Sequence, residues 1–265
     1  YRDSVTGLVE CRWTHPIALT IPTGQGADEW PSGFYLAKLT TDPLEDSNYI
    51  LFVVRDDTRP SPYLFQSSVL TFQAYNNWGG ASLYGFNSER GSAVMVSFDR
   101  PYATAAGGFL WDWEYNMVRW LEHEGYDVAY ATNLDVHRNP TLLMSHRAFL
   151  SVGHDEYWSW NMRRHVEQAR DRGVHLAFFS ANTCYWQIRL APSMQPGKAD
   201  RIVIAYKSTA HAQDPVLLDL DSSNDQLATT KWRSPPVHQP EASLLGGMYL
   251  EGAIPFDGNL VIQSP

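Results

Sequence analysis

Ala148-Phe149-Leu150-Ser151-Val152-Gly153-His154-Asp155-Glu156-Tyr157-Trp158-Ser159 is an apolar run that discharges into a histidine, two carboxylates and two large rings. In an open α/β sheet the carboxyl end of a strand opens into a crevice, and titratable groups set beside rings there are placed to bind or react. Ser159 reads as the N-cap of a helix over Trp160 to Arg172, closed by Gly173 as a left-handed residue. Glu156 is therefore expected on a short, rigid strand-to-helix loop. A plainer reading makes Asp155 and Glu156 first-turn charges that complement the helix dipole. It leaves Tyr157, Trp158 and Trp160 without a part.

Working outward, Phe109 to Glu124 carries Leu110, Trp113, Met117, Trp120 and Leu121 at helical spacing and ends at Gly125. Tyr126 to Ala131 reads as a strand, Pro140 to Ser145 as a short helix, Ala148 to Val152 as a strand, and Val174 to Phe179 as another. Strand, helix, strand, helix, strand implies right-handed crossovers and a parallel sheet, so the fold class is α/β. Residues 1–57 differ in texture: they are rich in Pro, Gly and Thr, with β-like runs at Phe34–Leu39 and Tyr49–Val54. They are expected to form a β-rich segment beside an α/β domain spanning 58–265. After about residue 195 only Arg201–Tyr206 shows a clear period.

At 265 residues and 44% hydrophobic the chain can bury a full core, in one large or two modest domains. Its net charge of −9, with no Lys/Arg block, argues against nucleic acid or an anionic membrane as the main partner. No apolar run approaches the roughly 20 residues of a membrane span. Tyr1 is not an initiator Met and no signal-like apolar region is visible, which points to a fragment or a mature portion. Its address stays open, with the cytoplasm as default.

A second dense cluster is Phe72-Gln73-Ala74-Tyr75-Asn76-Asn77-Trp78-Gly79-Gly80-Ala81-Ser82-Leu83-Tyr84, expected after a strand over Tyr63 to Thr71. Two glycines permit positive φ while Tyr75, Asn76 and Asn77 supply polar tips; a tight surface turn around one buried Trp is the simpler alternative. No Gly-x-Gly-x-x-Gly, Gly-Lys-Ser/Thr or Gly-x-Ser-x-Gly pattern occurs, which removes the nucleotide and serine-hydrolase readings. Cys11 and Cys184 are too few for a disulfide framework or a thiolate metal site. Cys184 follows a strand, and a Cys184/His154 thiol hydrolase stands as one alternative, against a buried, inert thiol. The nine histidines include no His-x-x-x-His pair, so a metal would be held by oxygen, and a hard cation suits tyrosinate and carboxylate donors.

Tyr75-Asn76-Asn77-Trp78-Gly79-Gly80, Gly125-Tyr126-Asp127-Val128, Gly153 to Ser159 and Asn182-Thr183-Cys184-Tyr185-Trp186 occur in this order. Together they resemble the C-terminal domain of the N,N-dimethylformamidase large (β) subunit family, from about Trp30 onward. The resemblance implies a glutamine-amidotransferase-like (flavodoxin-like) parallel sheet sandwiched by helices, flanked by β-rich segments and lacking the amidotransferase cysteine chemistry. It implies hydrolysis of a small N-substituted formamide at a mononuclear, non-haem ferric iron (Fe3+) held by two tyrosinates and one glutamate. Carried over, the metal ligands fall on Glu156, Tyr75 and Tyr35, with Glu156 alternatively leaving the metal to act as base, while His154 and Asn182 match positions that orient water or substrate. Trp78, Tyr157, Trp158 and Trp186 are expected to line a dry pocket for a small, uncharged amide. The family's domain is expected to continue past Pro265. A non-catalytic scaffold that binds carbohydrate or a protein partner is the alternative from another class. A small accessory subunit and a homo-oligomer remain open as partners.

Overall fold

The structure, a computed structural model, describes the chain outside residues 16, 23–28, 42–45, 105–107, 195–196 and 251–265. Along it lie β1 (Gly33–Thr40), β2 (Ser47–Val54), β3 (Tyr63–Ser67), α1 (Val69–Tyr75), β4 (Met95–Ser97), α2 (Tyr115–His123), β5 (Val128–Thr132), α3 (Asn133–Arg138) and β6 (Ala148–His154). β7 (Tyr157–Ser159), α4 (Trp160–Asp171), β8 (His175–Ala181), β9 (Trp186–Ala191) and β10 (Ile202–Ile204) follow, then the short helices α5 (Ala210–Gln213), α6 (Pro215–Leu218) and α7 (Ala242–Leu245).

Strands β5, β3, β6 and β8 pair in that order, all parallel. Side chains alternate across this sheet as the period of two requires. Leu64, Ala129 and Phe149 enter the core shared with Phe72 of α1, Leu134 and Val136 of α3, and Met162 and Val166 of α4. Their neighbours Phe65, Tyr130 and Leu150 turn to the opposite face, where Leu121 of α2 packs beside Phe34 and Val53 of the β1–β2 hairpin. The sheet is thus covered on both faces, as parallel sheets are. The chain runs from β3 to β5 on one side and returns to β6 on the other, so the strand order reverses between β3 and β6. In doubly wound sheets that reversal opens the ligand crevice at the strands' carboxyl ends.

A second sheet, ordered β4-β10-β9-β7, stands beyond those carboxyl ends, with β7 parallel to β9 and the other pairs antiparallel. Ser159 caps α4 by accepting the Met162 N–H at 3.2 Å, and Gly173 closes the helix with φ 93°. Both roles follow from the sequence.

Three elements differ from expectation. The strand foreseen over Tyr63 to Thr71 stops at Ser67, and Val69–Tyr75 is helical despite its β-branched and aromatic content, because a buried apolar face outweighs weak intrinsic propensity. Tyr157–Ser159, expected as loop, is a strand because β9 supplies a partner ladder. Helix α3 precedes the short helical turn at Leu142–Ser145 and opens with a capping box from Thr132 and Asp135. The C-terminal part of the expected 58–265 domain, 251–265, lies outside the described residues.

A π-helical turn, Leu110–Glu114, leads into α2 and carries Glu114 under α1. The Glu114 carboxyl is fully buried and accepts the Ser67 hydroxyl at 2.8 Å and the Ser68 backbone N–H at 2.7 Å. Burial pushes it up to about 8, whereas an exposed Glu titrates near pH 4.3. Between those values the folded chain holds one proton more than the unfolded chain. The stability this group contributes is therefore complete below about pH 4 and is lost as pH rises through 8, by up to about 1.4 kcal/mol per pH unit. Denaturant unfolding at pH 5 and pH 8 should show a smaller decline for Glu114→Gln than for the wild type. Parallel declines would contradict the assignment.

Candidate functional site

The reversal point is built around two adjacent carboxylates that face different ways. Asp155, fully buried, accepts Gln66 Nε2 at 2.8 Å, the Ser151 hydroxyl at 2.8 Å and Asn133 Nδ2 at 3.1 Å. Burial raises it to about 6. With three donors drawn from β3, β6 and α3, it serves the scaffold. Glu156, only 3% exposed, turns instead toward a cluster of phenols. Its backbone is held by the Thr71 hydroxyl at 3.0 Å and by the N–H groups of Tyr185 and Trp186, each at 3.0 Å from its carbonyl.

Each oxygen of Glu156 receives a tyrosine hydroxyl. Tyr75 donates to Oε2 at 3.0 Å and Tyr84 to Oε1 at 2.6 Å, while Tyr157 donates to the Tyr84 oxygen at 2.7 Å. The Gly79-Gly80 turn, with φ 75° and 78°, reverses the chain after α1 so that the Leu83 N–H reaches the Ala74 carbonyl at 2.9 Å. That reversal sets the Tyr84 ring 4.3 Å from the Tyr75 ring. Arg100 holds the turn in place by donating to the carbonyls of Gln73, Asn76, Trp78 and Ala81, at 2.6 to 3.3 Å. Those of Gln73 and Asn76 are carbonyls that the end of α1 leaves unpaired, and those of Trp78 and Ala81 belong to the turn.

His154 Nε2 lies 3.6 Å from Glu156 Oε2, and its ring stands 5.6 Å from Tyr75 and 5.7 Å from Phe109. Burial lowers the His154 pKa, which favours the neutral imidazole. Burial raises Glu156, opposed by hydrogen bonds from Tyr84 and Tyr75 and by the charge of Lys207. Both Tyr75 and Tyr84 are pushed well up, first by burial, so both phenols stand protonated. Lys207 Nζ sits 3.6 Å from the Tyr84 ring centre and donates to the Leu83 carbonyl. Burial brings it down to about 8, against the opposing pull of Glu156.

Asn182 follows the end of β8 in left-handed backbone, φ 49°. The register pairs His154 with Ala181, so Asn182 stands one residue beyond, at the same strand end as Asp155. Glu156, Tyr75 and His154 are brought together as the sequence led us to expect.

Tyr35 is not brought to them. Strand alternation turns Phe34 onto Phe65 and Tyr130 at 5.6 and 5.2 Å, which sends Tyr35 the other way. There it stacks on Trp30 at 4.8 Å and Phe52 at 5.7 Å and donates to the Pro31 carbonyl at 2.9 Å. Tyr84 is the second phenol at Glu156. The only signal for it in the sequence was its place on the far side of a Gly-Gly turn from Tyr75. Lys207, in a stretch without periodicity, carried no signal.

The expected ring lining also changes. Trp158 is fully buried and donates to the Asp155 carbonyl at 3.0 Å, so it is a structural ring. Tyr75, Tyr84 and Trp186, the last expected in the lining, hydrogen-bond the carboxylate, and Phe109 and His154 pack beside Tyr75. Cys184 is fully buried beside Arg163 at 3.9 Å, and burial drives its thiol far above the usual range. A thiol so placed is a poor nucleophile.

Among the described residues no three His, Cys, Asp or Glu side chains converge on a metal position. Any ion here would depend on phenol oxygens. The oxygens of Tyr75 and Tyr84 lie 3.0 and 2.6 Å from those of Glu156; adjacent ligands about 2 Å from a shared ion stand about 2.8 Å apart at right angles and about 3.3 Å apart in a tetrahedron. A phenolate at Tyr75 and the Glu156 carboxylate are hard negative donors that suit a trivalent cation once the Tyr75 proton leaves, with Tyr84 a second phenol on the same carboxylate.

Two substitutions separate bystanders from this cluster. Cys184→Ala should cost about 1 kcal/mol of stability in a melt, and Tyr35→Phe no more than about 1 kcal/mol. Any reaction at Glu156 should survive both. An inactive but folded Cys184→Ala protein would return the thiol to the mechanism.

Residues 2–265 match the family described as N,N-dimethylformamidase beta subunit-like, C-terminal. The N,N-dimethylformamidase beta subunit of an Alcaligenes species is 22% identical over 272 residues, covering 86% of this chain and 32% of that protein. The corresponding beta subunit of Paracoccus aminophilus is 21% identical over the same shares of each chain. This chain thus spans about a third of the length of the curated relatives it matches. A match across nearly all of its length means that the chain belongs to the N,N-dimethylformamidase beta subunit-like, C-terminal family.

Proposed function

We propose that the Glu156 site hydrolyses a small, uncharged amide, with N,N-dimethylformamide as the first substrate to test given the names of the relatives. The observation that carries this reading is a single buried carboxylate with a tyrosine hydroxyl on each oxygen, placed at the sheet's reversal point with His154 beside it. A purely structural carboxylate is better served by the arrangement around Asp155. We read the β5-β3-β6-β8 order as the centre of an amidotransferase-like α/β sandwich, in which the buried Cys184 takes no part.

In this reading Glu156, through Oε2, and Tyr75 would hold the ferric ion, while Tyr84 keeps its proton on Oε1 of Glu156. The ion, when bound, supplies a Lewis acid that polarises a carbonyl and lowers the pKa of water. The chain's own residues do the rest. The rings of Tyr75, Tyr84, Phe109 and Trp186 exclude water around a small apolar amide. His154, neutral and near Oε2, takes the proton of the attacking water and returns it to the departing amine nitrogen. Asn182, beside the crevice, donates to the oxygen on which negative charge develops. The relatives are beta subunits by name, which supports a place for this chain in an assembly with an accessory subunit.

Glu156→Gln tests the centre of the reading, since it keeps the side-chain volume and removes the charge. Release of dimethylamine from N,N-dimethylformamide should fall by about 100-fold or more. Iron measured by elemental analysis, and any visible tyrosinate band, should fall with it while the melt stays cooperative. A Glu156→Gln protein with full iron and full turnover would remove the proposal. Wild-type protein that binds no metal and releases no amine would favour the non-catalytic scaffold.

A further inference from the structure

Tyr157 follows Glu156 directly and is fully buried, yet its hydroxyl is spent on Tyr84. Strand β7 fixes its backbone against β9, where Tyr157 pairs with Trp186. The hydroxyl chain runs from Tyr157 to Tyr84 at 2.7 Å and on to Glu156 Oε1 at 2.6 Å. Hydrogen bonds in series polarise one another, so the second is strengthened by the first. The other carboxylate oxygen has different company. Oε2 takes a longer bond of 3.0 Å from Tyr75, which is half-buried, and faces His154 Nε2 at 3.6 Å.

We propose that Tyr157 is a positioning residue that acts through Tyr84: the two-phenol chain immobilises Oε1 of Glu156 and leaves Oε2 as the oxygen presented to the reacting group. This deepens the hydrolase reading, because it says which oxygen of Glu156 works and what holds the other. The geometry accounts for a feature that packing alone does not. A phenylalanine would fill the same buried volume, whereas the hydroxyl adds a directed bond onto a residue already bonded to the carboxylate. Lys207 over the Tyr84 ring steadies the same phenol from its face.

The test reads the carboxylate itself. Infrared difference spectra are taken on metal-free whole protein with ¹³C-labelled glutamate, and the Glu156 band is located by its loss in Glu156→Gln. Tyr84→Phe should shift that band, Tyr157→Phe should shift it less in the same direction, and the double variant should match Tyr84→Phe alone. A band unmoved by Tyr157→Phe, or two shifts that simply add, would overturn the proposal. Should Tyr157→Phe fail to fold, 3-fluorotyrosine in place of Tyr157 makes a stronger donor and should move the band the opposite way; no movement again overturns it.

Turnover gives a second reading through a double-mutant cycle. Tyr157→Phe should lower kcat about 10- to 100-fold, as small misplacements of reacting groups do, with KM little changed. In a Tyr84→Phe background it should cost nothing further. An equal loss in both backgrounds would make Tyr157 merely structural. Wild-type protein that hydrolyses no amide defeats the hydrolase reading, while the infrared result still decides the positioning role.

Discussion

The buried carboxylate of Asp155 is the constraint on which the crevice depends. It joins Gln66 of β3, Ser151 of β6 and Asn133 of α3, while its own N–H donates to the Ser180 hydroxyl of β8 at 2.9 Å. Its carbonyl then receives the Cys184 N–H at 2.9 Å and the Trp158 indole at 3.0 Å. Three parallel strands, one helix and the loop after β8 are thereby tied at one residue. A buried carboxylate left without donors is costly, so these elements hold their mutual positions wherever Asp155 stays inside. Glu156, the next residue, inherits that rigidity.

One backbone conformation completes the support. Gly153 has φ 85°, and a side chain there would place its Cβ 2.5 Å from the Trp113 Cβ, so the π-helical turn before α2 lies directly on the end of β6. Only glycine accepts both that conformation and that approach. Beyond it the chain leaves the parallel sheet with His154 beside the phenols and Asp155 inside. Glu156 then meets Tyr75 and Tyr84, before β7 joins the second sheet. A kinked strand end thus sends Asp155 into the scaffold and sets the residues on either side of it, His154 and Glu156, at the phenols.

The electrostatics of the cluster follow from burial more than from formal charge. Glu156, Tyr75, Tyr84 and Tyr157 are all driven toward their protonated forms by loss of water, and Lys207 toward its neutral form. Such a pocket gains by admitting positive charge, because each phenol proton displaced frees a hard anionic oxygen. Lys207 already supplies one cation at the edge of this group, against the Tyr84 ring and within the field of Glu156. The pocket's rings keep that field from being screened by solvent.

Local pattern alone determined much of this protein. Strand and helix periods between Phe109 and Phe179 implied a parallel α/β sheet, Ser159 and Gly173 marked the ends of α4, and the carboxyl end of the Ala148 strand marked the crevice, because these signals live within a few residues of one another. His154 and Glu156 stood out for the same reason, in a dense polar and aromatic run at a strand's end, and Tyr75 in a second such run, but it was the family resemblance that joined the three into one site. Tertiary structure decided the rest. Whether Tyr35 or Tyr84 meets Glu156 depends on which face of a hairpin packs inward and on how a Gly-Gly turn folds back. The split of Asp155 to the scaffold and Glu156 to the site depends on donors from β3, β6 and α3. Lys207 arrives from 51 positions beyond Glu156, and no periodicity records a contact made across that distance. Neighbours in sequence share a local conformation, whereas neighbours in space are chosen by packing, and the chemistry of this site belongs to the second kind.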